Sequence, residues 1–155
     1  MENYEIKDGV GIIPDSVTEI RGRAFAGCTD LISVVIPDSV TTIAPEAFLN
    51  CTNLTSIVIP DSVTEIGFCA FKCCKGLTSI VIPKSVKKID SGAFTSTGLE
   101  KVTFLGSVKY IGSDSFFGCP PIGFHVPADK IQYYKKQHLR EDPWFFHIVP
   151  LPSET

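Results

Sequence analysis

The sequence has no long apolar run, no surplus of basic residues and no apolar stretch in its first ten residues. No apolar stretch approaches the roughly 20 residues that span a bilayer, so no membrane span is expected. Lys and Arg total 14 against 17 Asp and Glu, for a net charge of −3. Phosphate-binding domains normally carry a basic surplus, so nucleic acid is not expected as the main partner. The first ten residues are polar and acidic, which predicts no secretory signal peptide.

Motifs of catalysis are missing as well. The sequence contains no Gly-x-Ser-x-Gly, no His-Glu-x-x-His and no phosphate-binding glycine-rich loop. Its three histidines, His125, His138 and His147, all lie near the C-terminus, where packing or solvent exposure is the simpler interpretation. We therefore expect no enzyme, and we predict neither a cofactor nor a metal ion.

The chain instead repeats one phrase. Ile-Pro-Asp-Ser-Val-Thr-Glu-Ile occurs at 13–20 and again at 59–66, and related phrases occupy 36–43, 82–89 and 104–111. The unit starts at 13, 36, 59, 82 and 104 give spacings of 23, 23, 23 and 22 residues. A 23-residue period lies within the range of leucine-rich repeats.

The rest of each unit agrees with this period. A phenylalanine follows each unit start by twelve residues: Phe25, Phe48, Phe71, Phe94 and Phe116. A cysteine comes three residues later in four of the five units: Cys28, Cys51, Cys74 and Cys119, with Thr97 in the remaining unit. Such regularity predicts stacked coils that bury the same positions against their neighbours.

The combined pattern, Ile-Pro-x-x-Val-x-x-Ile followed by Ala-Phe-x-x-Cys-x-x-Leu-x-x-Ile, resembles the BspA-like bacterial leucine-rich repeat proteins. The resemblance runs from Ile13 to about His125. It implies a repeat solenoid: a right-handed coil with a parallel β-sheet on one face and short helical turns or irregular segments opposite. It also implies a bacterial protein, often exported or attached to the cell surface.

Strand alternation assigns an inside and an outside to each unit. In Leu54–Ile59, Ile57 and Ile59 are predicted to face the core, while Ser56 and Val58 face solvent. Pro60 ends the strand because it has no N–H for the ladder.

The chain divides into residues 1–12 as an N-terminal arm, 13–126 as five repeats and 127–155 as a C-terminal cap. The cap is predicted to hold a helix at 127–141 with Ile131, Tyr134 and His138 on one face, and an aromatic lid follows it: Trp144, Phe145, Phe146 and Ile148. Tyr4, Ile6 and Val10 would cover the first coil. Otherwise a longer native chain or self-association through the N-terminal sheet edge would protect it.

The cysteines of the repeat are predicted to be buried thiols that bond backbone carbonyls, without disulfides between stacked coils. Cys69 and Cys73 fall outside the pattern and are expected to be exposed. Sequence drift is the simpler account of them, and an oxidisable surface pair is the alternative.

Charge is unevenly divided along the chain. Residues 1–81 hold ten acids and five bases, whereas residues 82–155 hold seven acids and nine bases. Within the repeat, Asp15, Asp38 and Asp61 give way to Lys84. Drift on a solvated face explains this, and so does a surface that orients a partner. For the aspartate column, capping of turns is favoured over divalent-cation binding.

The outward strand positions are the candidate partner-binding surface: Ser33, Val35, Ser56, Val58, Ser79, Val81, Lys101 and Thr103. Valines pointing to solvent either bind a partner or reflect strand propensity. The function expected is a non-catalytic protein-binding module, used in adhesion or interaction. The alternative is a structural spacer or scaffold within a longer chain, and carbohydrate binding is more distant because the face has no aromatic column.

Overall fold

The computed structural model describes residues 4–136 and 146–152. Thirteen strands and a short helix occur in these residues. The strands are β1 Glu5–Lys7, β2 Val10–Ile12, β3 Glu19–Ile20, β4 Ser33–Val35, β5 Thr42–Ile43, β6 Ser56–Val58, β7 Glu65–Ile66, β8 Ser79–Ile82, β9 Lys88–Ile89, β10 Lys101–Phe104, β11 Tyr110–Ile111, β12 Ile122–Val126 and β13 Phe146–Pro150. A 3-10 turn at Ala128–Lys130 leads into α1, Ile131–Lys136.

Each repeat unit forms one coil with two strands and a turn. In the coil that contains β6 and β7, Ile57 and Ile59 are buried and Val58 is exposed, as the alternation predicts. The chain turns at Pro60–Val63, where the Val63 N–H donates to the Pro60 carbonyl at 3.1 Å. The equivalent bonds in three other repeats measure 3.0–3.2 Å. Val63 and Ile66 then enter the core fully buried. The spacing of apolar residues therefore places two short strands on two sides of the coil.

Successive coils stack in register. On the first side, β4 pairs with β6 in parallel so that Ser33 lies opposite Ser56 and Val35 opposite Val58. This side consists of two four-stranded blocks, β1-β2-β4-β6 and β8-β10-β12-β13. On the second side, β3, β5, β7, β9 and β11 form a five-stranded parallel sheet. The predicted repeat solenoid with a parallel sheet is confirmed.

The third side of each coil is an irregular turn rather than a helical one. Residues just before and after the Ala-Phe pair adopt left-handed backbone conformations, for example Cys69 with φ 52° and Cys73 with φ 64°. An α-helix cannot pass through such residues. The turns are joined between coils by backbone bonds instead, such as Phe48 N–H to the Ala70 carbonyl at 2.8 Å.

Cys69 does not lie where the sequence placed it. Its side chain is buried, and Cys73 is half-buried, so the expectation that both are exposed is wrong. The left-handed backbone turns Cys69 towards the next coil, where its Sγ lies 3.0 Å from the point at which Gly92 would carry a Cβ. A glycine at 92 leaves the room that this thiol fills.

The phenylalanines form a continuous ladder through the core. Phe71 is fully buried, and its ring centroid lies 5.1 Å from that of Phe48 and 5.3 Å from that of Phe94, with interplanar angles of 3° and 1°. The ladder continues outward to Phe25 and Phe116. One aromatic residue per coil thus stacks through all five repeats.

The repeat cysteines lie beside this ladder. Cys51 Sγ donates to the Phe25 carbonyl at 3.0 Å, and Cys74 Sγ donates to the Phe48 carbonyl at 3.1 Å, so the predicted role as buried donors is confirmed for these two. Cys119 makes the equivalent bond to the Phe94 carbonyl at 3.2 Å but is half-buried, as is Cys28. Thr97, which replaces cysteine in one unit, lies 3.2 Å from Cys119 Sγ through its hydroxyl, and all six cysteines are free.

A hairpin covers the N-terminal coil. Strand β1 pairs antiparallel with β2, and β2 continues the sheet one strand before the first repeat phrase. Tyr4 packs edge-on against Phe25 at 5.4 Å, and its hydroxyl bonds the Glu19 carbonyl and the Arg21 N–H, both at 3.2 Å. Tyr4 and Ile6 of the arm therefore pack against the core, whereas Val10, which was predicted to cover the first coil, is exposed. A longer native chain and self-association through this sheet edge remain predictions.

The C-terminal coil is closed by two tyrosines. Tyr134 is fully buried against Phe104, with ring centroids 4.7 Å apart. Its hydroxyl donates to the Gly106 carbonyl at 2.7 Å and accepts from the Val108 N–H at 3.2 Å. Tyr133 donates to the Val108 carbonyl at 2.6 Å. These bonds anchor α1 to the last repeat.

The chain after α1 adds a strand that the sequence did not predict. Strand β13 pairs in parallel with β12, so Phe146 and Ile148 belong to a strand and not only to an aromatic lid. The predicted positions of His138, Trp144 and Phe145 lie outside the described residues. The division into arm, repeats and cap remains a prediction.

Candidate interaction surface

The outward face of the first side, called here the outer strand face, carries the predicted surface residues. Ser56, Ser79 and Lys101 are exposed and Ser33 is half-buried. Three valines at the neighbouring outward position of successive coils have large exposed fractions, 71% for Val35, 72% for Val58 and 50% for Val81. Six of the eight predicted residues are therefore exposed, and Ser33 is half-buried.

Thr103 is the exception, because only 9% of it is exposed. In the register, it lies between Val81 of β8 and the larger His125 of β12. The expectation that Thr103 faces solvent like the valines is wrong. Neighbouring strands cover a threonine that the repeat alone places on the surface.

The apolar stripe is longer than the sequence indicated. Ile12 lies opposite Val35 in the register and is 43% exposed, and Val10 lies opposite Ser33 and is 36% exposed. Neither residue belongs to a repeat phrase, so the periodicity passed over them. The alternation Val10-Gly11-Ile12 matches the outward and inward positions of the later strands and could have identified both residues.

Acidic residues border the stripe at the N-terminal coils. Asp15, Asp38 and Asp61 are exposed and occupy equivalent turn positions in three successive coils. Asp15 and Asp38 line a shallow depression together with Val35, Pro37 and Ser39. Carboxylates and an aliphatic side chain therefore share one concavity of the outer strand face.

No group of three metal-ligating side chains occurs among residues 4–136 and 146–152. The aspartate column thus offers one carboxylate per coil without further oxygen ligands of that kind nearby. Hard cations such as Ca²⁺ take six to eight oxygens, which such a column does not supply. The turn-capping role of these aspartates remains a prediction.

Basic and imidazole groups border the stripe at the C-terminal coils. In the register, Lys101 lies opposite Gly123, which in turn lies opposite His147. A Cβ at Gly123 would meet the Nε2 atoms of His125 and His147 at 3.4 and 3.6 Å, so both imidazoles lean over this glycine. Desolvation, followed by Lys101 and His147, lowers the pKa of His125 below its ordinary value.

The outer strand face carries no Phe, Tyr or Trp at its outward strand positions. On β2, β4, β6, β8, β10 and β12 these positions hold aliphatic, hydroxyl-bearing, lysine or histidine side chains and Gly123. Sugar rings usually stack on such aromatic side chains, so this face lacks the feature that carbohydrate binding favours.

Comparison of the sequence with known protein families identifies the repeat. Residues 10–123 match the BspA type leucine rich repeat region in six copies. The chain belongs to this family. The match begins at β2, which agrees with a strand one coil ahead of the first repeat phrase.

Three solved leucine-rich repeat proteins have the same fold. A leucine-rich repeat protein from Bacteroides ovatus is 37% identical with a TM-score of 0.66 over 71% of this chain. The T. pallidum leucine rich repeat protein is 32% identical with a TM-score of 0.71 over 81% of this chain. A leucine rich cell surface protein from Faecalibacterium prausnitzii is 32% identical with a TM-score of 0.76 over 84% of this chain.

These relatives differ in length from the chain. The chain spans 28% of the Bacteroides protein, 35% of the Faecalibacterium protein and 69% of the T. pallidum protein. Comparison with curated proteins found no match. Within the described residues, no helix has the length and apolar character needed to cross a membrane.

Proposed function

We propose that this BspA-type repeat array is a non-catalytic protein-binding module that uses its outer strand face. The observation that carries the proposal is that Val35, Val58 and Val81, at equivalent positions of three successive coils, are half or more exposed, and that Val35 lies opposite Val58 in the register. Single exposed apolar residues are common on surfaces, but a group of them on neighbouring coils marks interaction sites more often. Solenoids offer such extended faces to their partners.

The proposed setting is extracellular or at the cell surface. One solved relative is described as a cell surface protein, and it is 32% identical to this chain. In that setting the partner is a protein met outside the cell, and the module serves adhesion or recognition. The competing function is a spacer in a longer array, which would bind nothing through the stripe.

The test replaces the stripe and leaves the core intact. Val58→Lys and Val81→Lys together add two charges at positions that face solvent, so the fold should stand with a melting temperature within about 3 °C of the unmodified chain. Binding of any partner through this face should fall at least tenfold, which corresponds to about 1.4 kcal/mol. Proteins captured from a surface extract are compared between the two chains, and their affinities are then measured with purified components.

A matched control makes the same change elsewhere. Phe68 and Phe117 are 47% and 69% exposed and lie on the turn side of the coils. Phe68→Lys and Phe117→Lys also remove two exposed apolar side chains and add two charges. Partners should bind this control as they bind the unmodified chain. If all three chains capture the same proteins equally, the spacer function replaces the binding function.

A further inference from the structure

The outer strand face carries opposite charges at its two ends. At the N-terminal coils Asp15, Asp38 and Asp61 are exposed at equivalent turn positions that follow the first-side strands. At the C-terminal coils Lys84 and Lys101 are exposed together with Glu100, and His125 and His147 lie beside them. The aspartate column itself reverses sign at Lys84, which occupies the equivalent turn position.

The structure shows that these charges share a face with the apolar stripe. Asp15 and Asp38 line the same depression as Val35. Lys101 lies directly opposite Ser79 in the register and Thr103 lies opposite Val81, so the basic end continues the same two columns. Gly106 follows Lys84 in its column, and a Cβ there would lie 2.9 Å from the Lys84 Cα. The valine column therefore runs beside the charged turn positions, which are acidic from Asp15 to Asp61 and basic at Lys84.

The sign of the charge changes between two successive coils. Asp61 and Lys84 are one coil apart, about 4.8 Å, whereas Asp38 and Lys101 are three coils apart, roughly 14 Å. The Debye length is about 8 Å at physiological salt, so the outermost charges are largely screened from each other, while Asp61 and Lys84 are not. A partner that runs along the stack consequently meets acidic residues first and basic residues after them, with the aliphatic column beside both.

We infer that the partner of this face is an extended protein segment with aliphatic residues along its length, basic residues at one end and acidic residues at the other. This inference rests on the proposed function and adds the chemistry and the orientation of the ligand. Charge complementarity favours such a segment over a uniformly charged one, because either sign alone would meet repulsion at one end. It also disfavours a lipid surface, which requires basic residues throughout.

The probe is a displayed library of random 12-residue peptides. Peptides are selected on the immobilised chain at low salt and then sorted by whether Val58→Lys with Val81→Lys abolishes their binding. Among the peptides that depend on the valines, basic residues should concentrate at one end and acidic residues at the other, at least threefold above the unselected library. Either chain direction is acceptable because a peptide can lie across the coils both ways.

Charge-reversed variants test the same point on the protein side. Asp38→Lys with Asp61→Lys, and separately Lys84→Glu with Lys101→Glu, should each weaken a selected peptide at least fivefold. The chain with all four changes restores opposite ends in reversed order, so the peptide should turn round and recover most of its affinity. If the fourfold variant stays as weak as the double variants, damage to the face explains the losses and the charge argument is overturned.

The outcomes separate this inference from the function on which it rests. Peptides that depend on the valines but show no segregation of charge would overturn the inference and leave the binding face in place. A selection that yields no peptide dependent on the valines would overturn the binding function and the inference together. Segregated charge with recovery in the fourfold variant would support both.

Discussion

Replacing Phe71 with alanine is the sharpest test of how the solenoid is held together. The ring is fully buried and stacks on Phe48 and Phe94 at 5.1 and 5.3 Å. Truncating a buried phenylalanine to alanine costs about 3–5 kcal/mol, and each aromatic pair contributes about 0.5–1.5 kcal/mol beyond its buried area. Because Phe71 loses two parallel neighbours, we expect a loss of about 4–5 kcal/mol in the free energy of unfolding.

The assay is a urea titration followed by circular dichroism. With a slope of about 2 kcal/mol per molar urea, the expected loss lowers the unfolding midpoint by about 2 M. Phe117→Ala is the matched control, because Phe117 lies next to the ladder residue Phe116 but is 69% exposed. It should change the free energy of unfolding by less than about 0.5 kcal/mol. A midpoint shift below about 0.5 M for Phe71→Ala would refute the role assigned to the ladder.

Three further results are expected. Tyr134→Phe removes the hydroxyl that bonds Gly106 and Val108, so the free energy of unfolding should fall by about 1–3 kcal/mol in the same titration, whereas an unchanged midpoint would contradict a closing role for α1. In the native chain, half-buried Cys73 should react with a maleimide before Cys74, because the hydrogen bond with Cys51 and burial raise the pKa of Cys74. Mass spectrometry of digests gives the order of labelling. Faster labelling of Cys74 would show that its coil opens. The pKa of His125 is lowered in the folded chain, so the unfolded chain binds more protons near and below the ordinary histidine value of about 6.5. The free energy of unfolding should therefore fall as the pH drops from 7.5 to 5.5, and it should fall less in His125→Gln. An equal dependence of stability on pH in the two chains would exclude this group.

The repeat made much of the fold predictable. A period of 23 residues, with Phe and Cys at constant offsets, requires stacked coils because no single unit can close a core. Strand alternation then placed Ile57 inside and Val58 outside, and both positions agree with the structure. The candidate surface followed from the same alternation, since a residue that faces out in one coil faces out in its neighbours.

Positions set by contacts between unlike neighbours could not be read from the period. Thr103 is buried because His125, outside the repeat phrases, lies beside it. Cys69 is buried because a left-handed backbone and a glycine in the next coil turn it inward. Strand β13 pairs with the edge of β12, a contact between segments that are distant in the sequence and outside the repeat phrases. Alignment of equal units carries no information about these cases.

The ladder of identical contacts has a consequence for how long such an array can be. Every interior coil meets its neighbours through one ring stack, short parallel ladders and turn-to-turn backbone bonds, while Tyr4 and Tyr134 finish the two ends. A 23-residue duplication placed at a unit boundary would repeat each of these contacts and create no new kind of interface. Length in this architecture can therefore change by a single genetic event without any redesign of the core. The number of outward valines, and with it the reach of the surface, would grow in the same step.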